Sequence, residues 1–465
     1  MTGNGKSSQE KGHGQTSRRS FLRQASVAAG LAAPAIVPSY VLGQKAPSNR
    51  VNVAAFGVGG RGTAVNGGIV KFDDVRYVAV CDAYESRREA KRKQWNELYG
   101  GDYVKAYSDP WEVMKRDDVD AVVVATPDHW HVPLAIAAAR AGKAMYVEKP
   151  LGVAMTWAWT LRKEFARSSR RVFQYGTQQR SSSQFRYACE LARNGYIGEL
   201  QRVETWCPDA SQQWESFGGK NSLSVPRYGS LRPVPPPAGL DYDLWCGPSP
   251  MKPYTADRCT QFGTYHIYDF AIGFIAGWGA HPLDIAQWGL DADSTGPVFY
   301  EGAGHVPDCG LLDTTDEWDI HCYYANGVVM RFMDYRTAQP VVMRYRGRWS
   351  DHGTTFFGSE GWISVDRSGL EARPASLEHV EFGPNDKRLY KSDDHGRNFI
   401  DCVRGSAETM SPLEAAIRSD TISHLSDIVV RLKRPVEWDP KTETIKNDAE
   451  ATKMLDRPMR KKWAV

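Results

Sequence analysis

Residues Val51–Gly62 read VNVAAFGVGGRG. A short β-rich apolar run ends here on three glycines spaced GxGxxG, where the pattern passes from strand to helix. Each glycine has a separate job in a nucleotide-binding turn: Gly57 permits the tight turn, Gly59 lets the backbone reach a pyrophosphate, and Gly62 lets helix and strand pack closely. Gly60 and Arg61 belong to the same turn, and the free N–H groups of the helix start would face the phosphates. Alone the pattern is weak, because glycine-rich turns serve geometry in many proteins. Asp82 strengthens it: twenty residues after Gly62, past a second β-rich run at Val75–Cys81, its carboxylate would accept the ribose hydroxyls and repel a 2′-phosphate. NAD is therefore expected rather than NADP.

Outward from that turn the alternation continues. Val119–Ala125 (VDAVVVA) is a third and more apolar strand, His131–Ala141 an alanine-rich helix, and Lys143–Val147 another strand. Near-continuous apolar strands separated by helices predict a parallel sheet covered on both faces, an α/β Rossmann domain over 50–175. In the remainder, Glu199–Trp206, Asp319–Tyr324 and Val328–Met333 are strand-like, and Asn326-Gly327 marks a hairpin. A loop-rich insertion, about Pro208–Pro253, carries Val234-Pro235-Pro236-Pro237; a loop of that length is usually functional.

The N-terminus has the grammar of an export signal. Ser17-Arg18-Arg19-Ser20-Phe21-Leu22-Arg23 precedes an apolar run, Ala25–Val37, then Pro38 and Gly43. Residues 1–43 are expected to be a twin-arginine signal peptide, which delivers a folded protein to the periplasm or otherwise outside through the twin-arginine export machinery. The apolar run is too short to span a bilayer, so no membrane anchor is expected after cleavage. Removing these residues turns the formal +3 of the whole chain into 53 basic against 54 acidic residues. No field for nucleic acid or a polybasic membrane patch survives, and the expected partners are small and uncharged. Eight scattered cysteines without a CxxC pair indicate neither a zinc site nor a redox dithiol. No metal is expected.

More specific phrases follow: TPDHWH (Thr126–His131), AGKAMYVEKP (Ala141–Pro150), QYGTQQRS (Gln174–Ser181) and GWGAHPLD (Gly277–Asp284). With GVGGRG these resemble the glucose-fructose oxidoreductase, inositol dehydrogenase and MocA family, Gfo/Idh/MocA. The tail phrases RNFIDCVRG, RPVEWDP and MLDRPMRKKW look like its exported bacterial branch. The resemblance implies a Rossmann domain followed, over 176–465, by an α+β domain. The open, mainly antiparallel sheet of that domain walls the substrate site and often makes the contact of a homo-oligomer.

The resemblance also implies roles for residues. Lys149 of EKP stands beside the nicotinamide, stabilising the reacting oxygen as charge develops. His281 is the proton acceptor and Asp284 the final aspartate of the same phrase, a histidine being suited to an alcohol proton at neutral pH. Gly277 occupies the place of the family's first aspartate, for which Asp269 or Asp284 are the candidate substitutes. Thr126, Pro127 and Glu148 are assigned to the cofactor, with Lys149 beside them. His129 and His131 either bind it or cap a helix. Gln178 and Arg180, with His281, are assigned to the substrate. Of the tryptophans, Trp206, Trp214, Trp245, Trp278 and Trp288 lie in the second half, where flat rings stack on sugars or fill a core.

The expected activity is NAD(P)-dependent oxidation or reduction of a secondary hydroxyl on a sugar, glycoside or polyol, with a tightly held cofactor. Two alternatives stand beside it. One is an NAD-dependent glycoside hydrolase or lyase that works by transient oxidation and elimination; the other is a non-catalytic sugar- or cofactor-binding protein.

Overall fold

The apolar run at Val51–Phe56 forms β1. The computed structural model describes residues 50–210 and 229–465; the expected signal at 1–43, and residues 211–228 of the insertion with Trp214, lie outside the described residues. Val75–Cys81 (β2), Lys105–Tyr107 (β3), Ala121–Val124 (β4), Ala144–Val147 (β5) and Phe173–Tyr175 (β6) join β1 in the order β3-β2-β1-β4-β5-β6. Every pairing in this sheet is parallel. Helices Gly60–Ile69 (α1), Glu85–Tyr99 (α2), His131–Arg140 (α3) and Met155–Arg167 (α4) lie in the crossovers.

The strands lack polar alternation because both faces are covered. In β1, Val53 and Ala55 enter one apolar cluster while Ala54 and Phe56 enter another, and β4 divides in the same way. Strand order reverses between β1 and β4, so a crevice opens at their C-terminal ends. Gly57, Asp82 and Thr126 stand at those ends.

The second sheet contains Leu200–Cys207 (β7), Phe299–His305 (β8), Glu317–Tyr323 (β9), Val329–Asp334 (β10), Gly353–Gly358 (β11), Trp362–Asp366 (β12), Gly369–Arg373 (β13), Val436–Asp439 (β14) and Thr444–Ile445 (β15). Its order is β13-β12-β11-β7-β10-β9-β8-β14-β15. Only β7 and β10 run parallel; the other pairs are antiparallel. The Asn326-Gly327 turn closes the β9–β10 hairpin with Gly327 at φ +87°.

Helices Ser183–Arg193 (α5), Phe274–Gly277 (α6), Ala280–Gly289 (α7) and Leu413–Leu432 (α8) connect this sheet to the first. Helix α8 is buried along nearly its whole length, packing on β6 and α4 as well as on β8 and β9. The C-terminal segment also returns to the parallel sheet. Phe399 and Ile400 share a cluster with Val53 and Tyr77, and Arg397 pairs with Asp74 at 2.8 Å. Residue 175 thus separates the sheets but not their cores.

No helix among the described residues is long and apolar enough to cross a membrane. All eight cysteines are free thiols, and Cys309 alone among them is exposed.

Candidate active site

The glycine turn is shaped by close approaches of backbone. Gly57 has φ +77°, and a Cβ there would stand 2.6 Å from the Ala125 carbonyl oxygen. A Cβ on Gly62 would come within 2.0 Å of the Gly57 carbonyl oxygen. Around Gly60, by contrast, nothing lies within 4 Å, so the start of α1 is open where phosphates would approach. Asp82 braces the turn: its Oδ2 accepts the Val58 N–H and its Oδ1 the Tyr84 N–H, both at 2.9 Å. Burial pushes the Asp82 carboxyl up from its ordinary value, against those two bonds, which pull it down. Each oxygen keeps acceptor capacity for a ribose hydroxyl.

A cleft enclosing about 1040 Å³ with its open mouth runs along this turn. Gly57, Gly59, Gly60, Arg61, Gly62, Asp82, Thr126 and Pro127 form one wall. The Thr126 hydroxyl is buried without a partner among the described residues, an acceptor and donor left for whatever fills the cleft. The opposite wall comes from the insertion and the segment after it: Trp245, Cys259, Gln261, Thr264 and Tyr265. That wall is tied to the loop after β2. Leu240 bridges Tyr84, the Glu85 N–H donates to the Gly239 carbonyl at 2.8 Å, and the Asp241 N–H donates to Ala83 at 3.0 Å. The open α1 terminus, the braced carboxylate and the orphan hydroxyl fit a dinucleotide.

At the inner end, Glu148 and Lys149 follow β5. Glu148 Oε1 accepts Arg61 Nη2 and Gln178 Nε2, each at 2.8 Å. Burial would push the Glu148 carboxyl up, but Arg61 and Lys149 hold it below its ordinary value. Gly176 must be small because a Cβ there would meet Glu148 at 2.9 Å. Lys149 Nζ donates to the Gly277 carbonyl at 2.5 Å. Burial lowers its pKa, opposed by Glu148.

Gly277 thus meets the lysine with its backbone. A Cβ at 277 would make only ordinary contacts, 3.5 Å to Tyr265 and 3.6 Å to Phe274, so space alone does not demand glycine there. His281, in the first turn of α7, is 3% exposed and stands edge-on to Trp278 with ring centres 5.7 Å apart. Its Nδ1 has no hydrogen-bond partner among the described residues. Burial, then the positive Lys149 and Arg367, drives the imidazole well below its ordinary pKa, leaving it neutral with a free lone pair but a weaker base than an exposed histidine.

Several assignments are corrected by placement. Asp284, one turn further along α7, gives both oxygens to Arg180 at 2.7 and 2.8 Å, and Arg180 also grips Asp293. This buried pair clamps α7 to the Gln178–Ser181 turn; Asp284 does not orient His281, and Arg180 has its donors committed away from a substrate. Asp269 is held by Lys252 and Arg258, and it does not replace the carboxylate missing at 277. His129 donates from Nε2 to the Trp245 carbonyl at 2.9 Å, packed against Phe270, and burial lowers it to about 4. The His131 ring nitrogens meet the Pro150 and Thr126 carbonyls at 2.7 and 2.9 Å, joining the two loops. Neither histidine lines the cleft. Trp206 and Trp288 are core, while Trp245 lines the cleft.

Sequence reasoning missed Arg87, Tyr265 and Arg367. Arg87 lines the cleft beside Asp82 and stacks 4.1 Å over Tyr84; its place just past Asp82 was the available signal. Nothing local marked Tyr265 or Arg367.

Residues 51–176 match an oxidoreductase family with an NAD-binding Rossmann fold, and residues 222–333 and 384–465 match that family's C-terminal α/β domain. A glycosyl hydrolase family 109 protein of Solibacter usitatus is 30% identical over 201 residues, 40% of this chain and 44% of that protein. Myo-inositol 2-dehydrogenase of Thermotoga maritima is 31% identical over 150 residues, 32% of this chain and 42% of the dehydrogenase. The match spans less than half the length of either relative. Among solved structures, aldose-aldose oxidoreductase from Caulobacter crescentus has a TM-score of 0.56 at 15% identity, over 83% of this chain and 99% of that one, a likeness of fold.

Proposed function

Because this chain belongs to the Gfo/Idh/MocA oxidoreductase family and carries both of its domains, we propose that it oxidises or reduces a secondary hydroxyl of a sugar, glycoside or polyol. The observation that carries this reading is that Lys149 and a neutral His281 stand against the same Trp278 ring, with Lys149 also 6.0 Å from the ring of Tyr265 in the cleft wall. Bound NAD would supply the hydride acceptor for the carbinol carbon. Lys149, held through one N–H by Gly277, has two donors left for the carbinol oxygen and stabilises it as negative charge grows. His281 accepts the hydroxyl proton. Glu148, fixed by Arg61 and Gln178, keeps Lys149 from being an isolated buried charge.

A second reading is supported by the similarity to a glycosyl hydrolase family 109 protein and by the glycine at 277. Transient oxidation acidifies a neighbouring C–H, a base removes that proton, the glycosidic C–O bond breaks with its electron pair on the leaving oxygen, water adds, and the redox change is reversed. Product analysis with cofactor-loaded protein and a panel of glycosides and polyols separates the two. The first yields keto-sugar with stoichiometric NADH, the second free sugar without net NADH. Neither product from any member of the panel would sink both readings.

If residues 17–23 are a twin-arginine signal, this chemistry would run outside the cytoplasm, where free NAD is not expected to be plentiful. The insertion bonded across the loop after β2 supports slow release of a cofactor loaded before export. Protein recovered from the periplasmic fraction should retain bound nicotinamide through dialysis, read by fluorescence; cofactor-free protein with weak rebinding would refute retention.

A further inference from the structure

Four basic side chains gather on one indole. Lys149 Nζ lies 5.9 Å and the Arg367 guanidinium carbon 4.9 Å from the centre of the Trp278 ring. The imidazoles of His281 and His352 stand 5.7 and 5.4 Å from it. They come from four elements: the end of β5, the tip of the β12–β13 hairpin, the start of α7 and the residue before β11. Of the carboxylates acting on this group, Glu148 is engaged by Arg61 at 2.8 Å and Asp351 by His352 Nδ1 at 2.6 Å, while burial pushes Asp128, whose Oδ2 has no hydrogen-bond partner among the described residues, toward its neutral form. Among the described residues the Lys149 ammonium makes its one hydrogen bond to a carbonyl, and Arg367 has no ion pair or side-chain hydrogen bond.

Arg367 is solvent-exposed as a residue, yet its guanidinium lies over the same Trp278 ring that Lys149 and His281 face, so it stands on the side of the reacting groups. Like charges held this close repel, and an anion between them would offset the repulsion. A guanidinium presents a planar fork that matches paired oxygens, and an indole face accepts the apolar face of a sugar ring.

We propose that the substrate sugar carries an anionic group, a carboxylate or a phosphate ester, seated on Arg367, with its ring over Trp278 and its reacting hydroxyl toward Lys149 and His281. This deepens the proposed function and rests on it. It also departs from the uncharged partner suggested by the near-neutral mature chain, because the balance over a whole chain says nothing about one wall of one cleft.

The test uses NAD-loaded protein and a matched set: a methyl hexopyranoside, the corresponding hexuronate, the methyl ester of that uronate and the hexoside 6-phosphate. Binding is measured by calorimetry, with NADH and products followed separately. The acid or the phosphate should bind about 10- to 100-fold tighter than the neutral hexoside and the ester, the scale of a charge-assisted pair. The better of the two identifies the group. Arg367→Gln should bring the ratio of charged to neutral affinity close to one, and Arg367→Lys should keep part of it.

Equal affinity of the wild-type protein for charged and neutral sugars overturns the proposal. So does an Arg367→Gln variant, folded by its melting profile, that keeps the wild-type ratio. Charge-selective binding with neither NADH nor cleavage would sink the proposed function and leave the anion site standing. Oxidation of neutral polyols as readily as acids would do the reverse.

Discussion

The glycine turn and the α6–α7 corner are both short phrases with a readable spacing, and they meet the cleft in opposite ways. At Gly57–Gly62 the working parts are backbone atoms, and neighbours along the chain serve one target, the open start of α1. At Gly277–Asp284 the same number of key residues goes to three places: the Gly277 carbonyl to Lys149, His281 into the site, and Asp284 away to Arg180. A turn built from backbone needs only local geometry. A helix rotates each successive side chain by about 100°, so what each one meets depends on what is packed around it.

The largest effect expected from this contrast comes from one chemical change made in both regions. Gly62→Ala must push a Cβ into the Gly57 carbonyl at 2.0 Å and should abolish cofactor binding, whereas Gly277→Ala finds ordinary contacts and should bind NAD as before. Fluorescence titration of both variants checks this; equal loss in the two would erase the distinction.

Next is Asp284→Asn, which removes one of the two carboxylates on Arg180 while Asp293 remains, and should cost about 1.5–3 kcal/mol of stability in urea unfolding. His281→Ala should instead lower kcat about 100-fold with little change in stability. A collapse of kcat in Asp284→Asn at unchanged stability would put that carboxylate back in the proton path.

Acid should weaken the protein through histidines buried by the packing of the two sheets. His129 and His395 titrate at about 4 when folded, each lowered chiefly by burial, against about 6.5 unfolded. The unfolded chain therefore binds more protons between those values. Stability should fall as pH drops from about 6.5 to about 4, by about 3 kcal/mol for each histidine, and level off below. Urea midpoints that stay flat over that window would mean these rings are reached by solvent.

The smallest effect belongs to Asp82→Ala. Loss of its ribose contacts should weaken NAD about 10- to 100-fold and relax discrimination against NADP, since Arg87 remains in the wall as a site for a 2′-phosphate. A variant that still rejects NADP would assign the selectivity elsewhere.

The parallel sheet was legible in the sequence because strands covered on both faces read as unbroken apolar runs, and β1, β2, β4 and β5 do. The glycines and Asp82 were legible because their spacing is imposed by one strand, one turn and one helix. The β9–β10 hairpin announced itself through Asn326-Gly327. Resemblance to the family's phrases also brought Lys149 and His281 to notice. What it could not show was that the lysine would be held by the carbonyl of Gly277, that Asp284 would be spent on Arg180, or that the insertion would bond to the loop after β2.

Those outcomes, like the gathering of Lys149, His281, His352 and Arg367 on Trp278, join residues far apart in the chain. The amino-acid sequence by itself determined the elements and the cofactor turn, because hydrophobic period and backbone sterics act within a few residues. Only the tertiary structure decided which charges are partnered, because burial and Coulomb energy depend on distances through space that no spacing along the chain encodes.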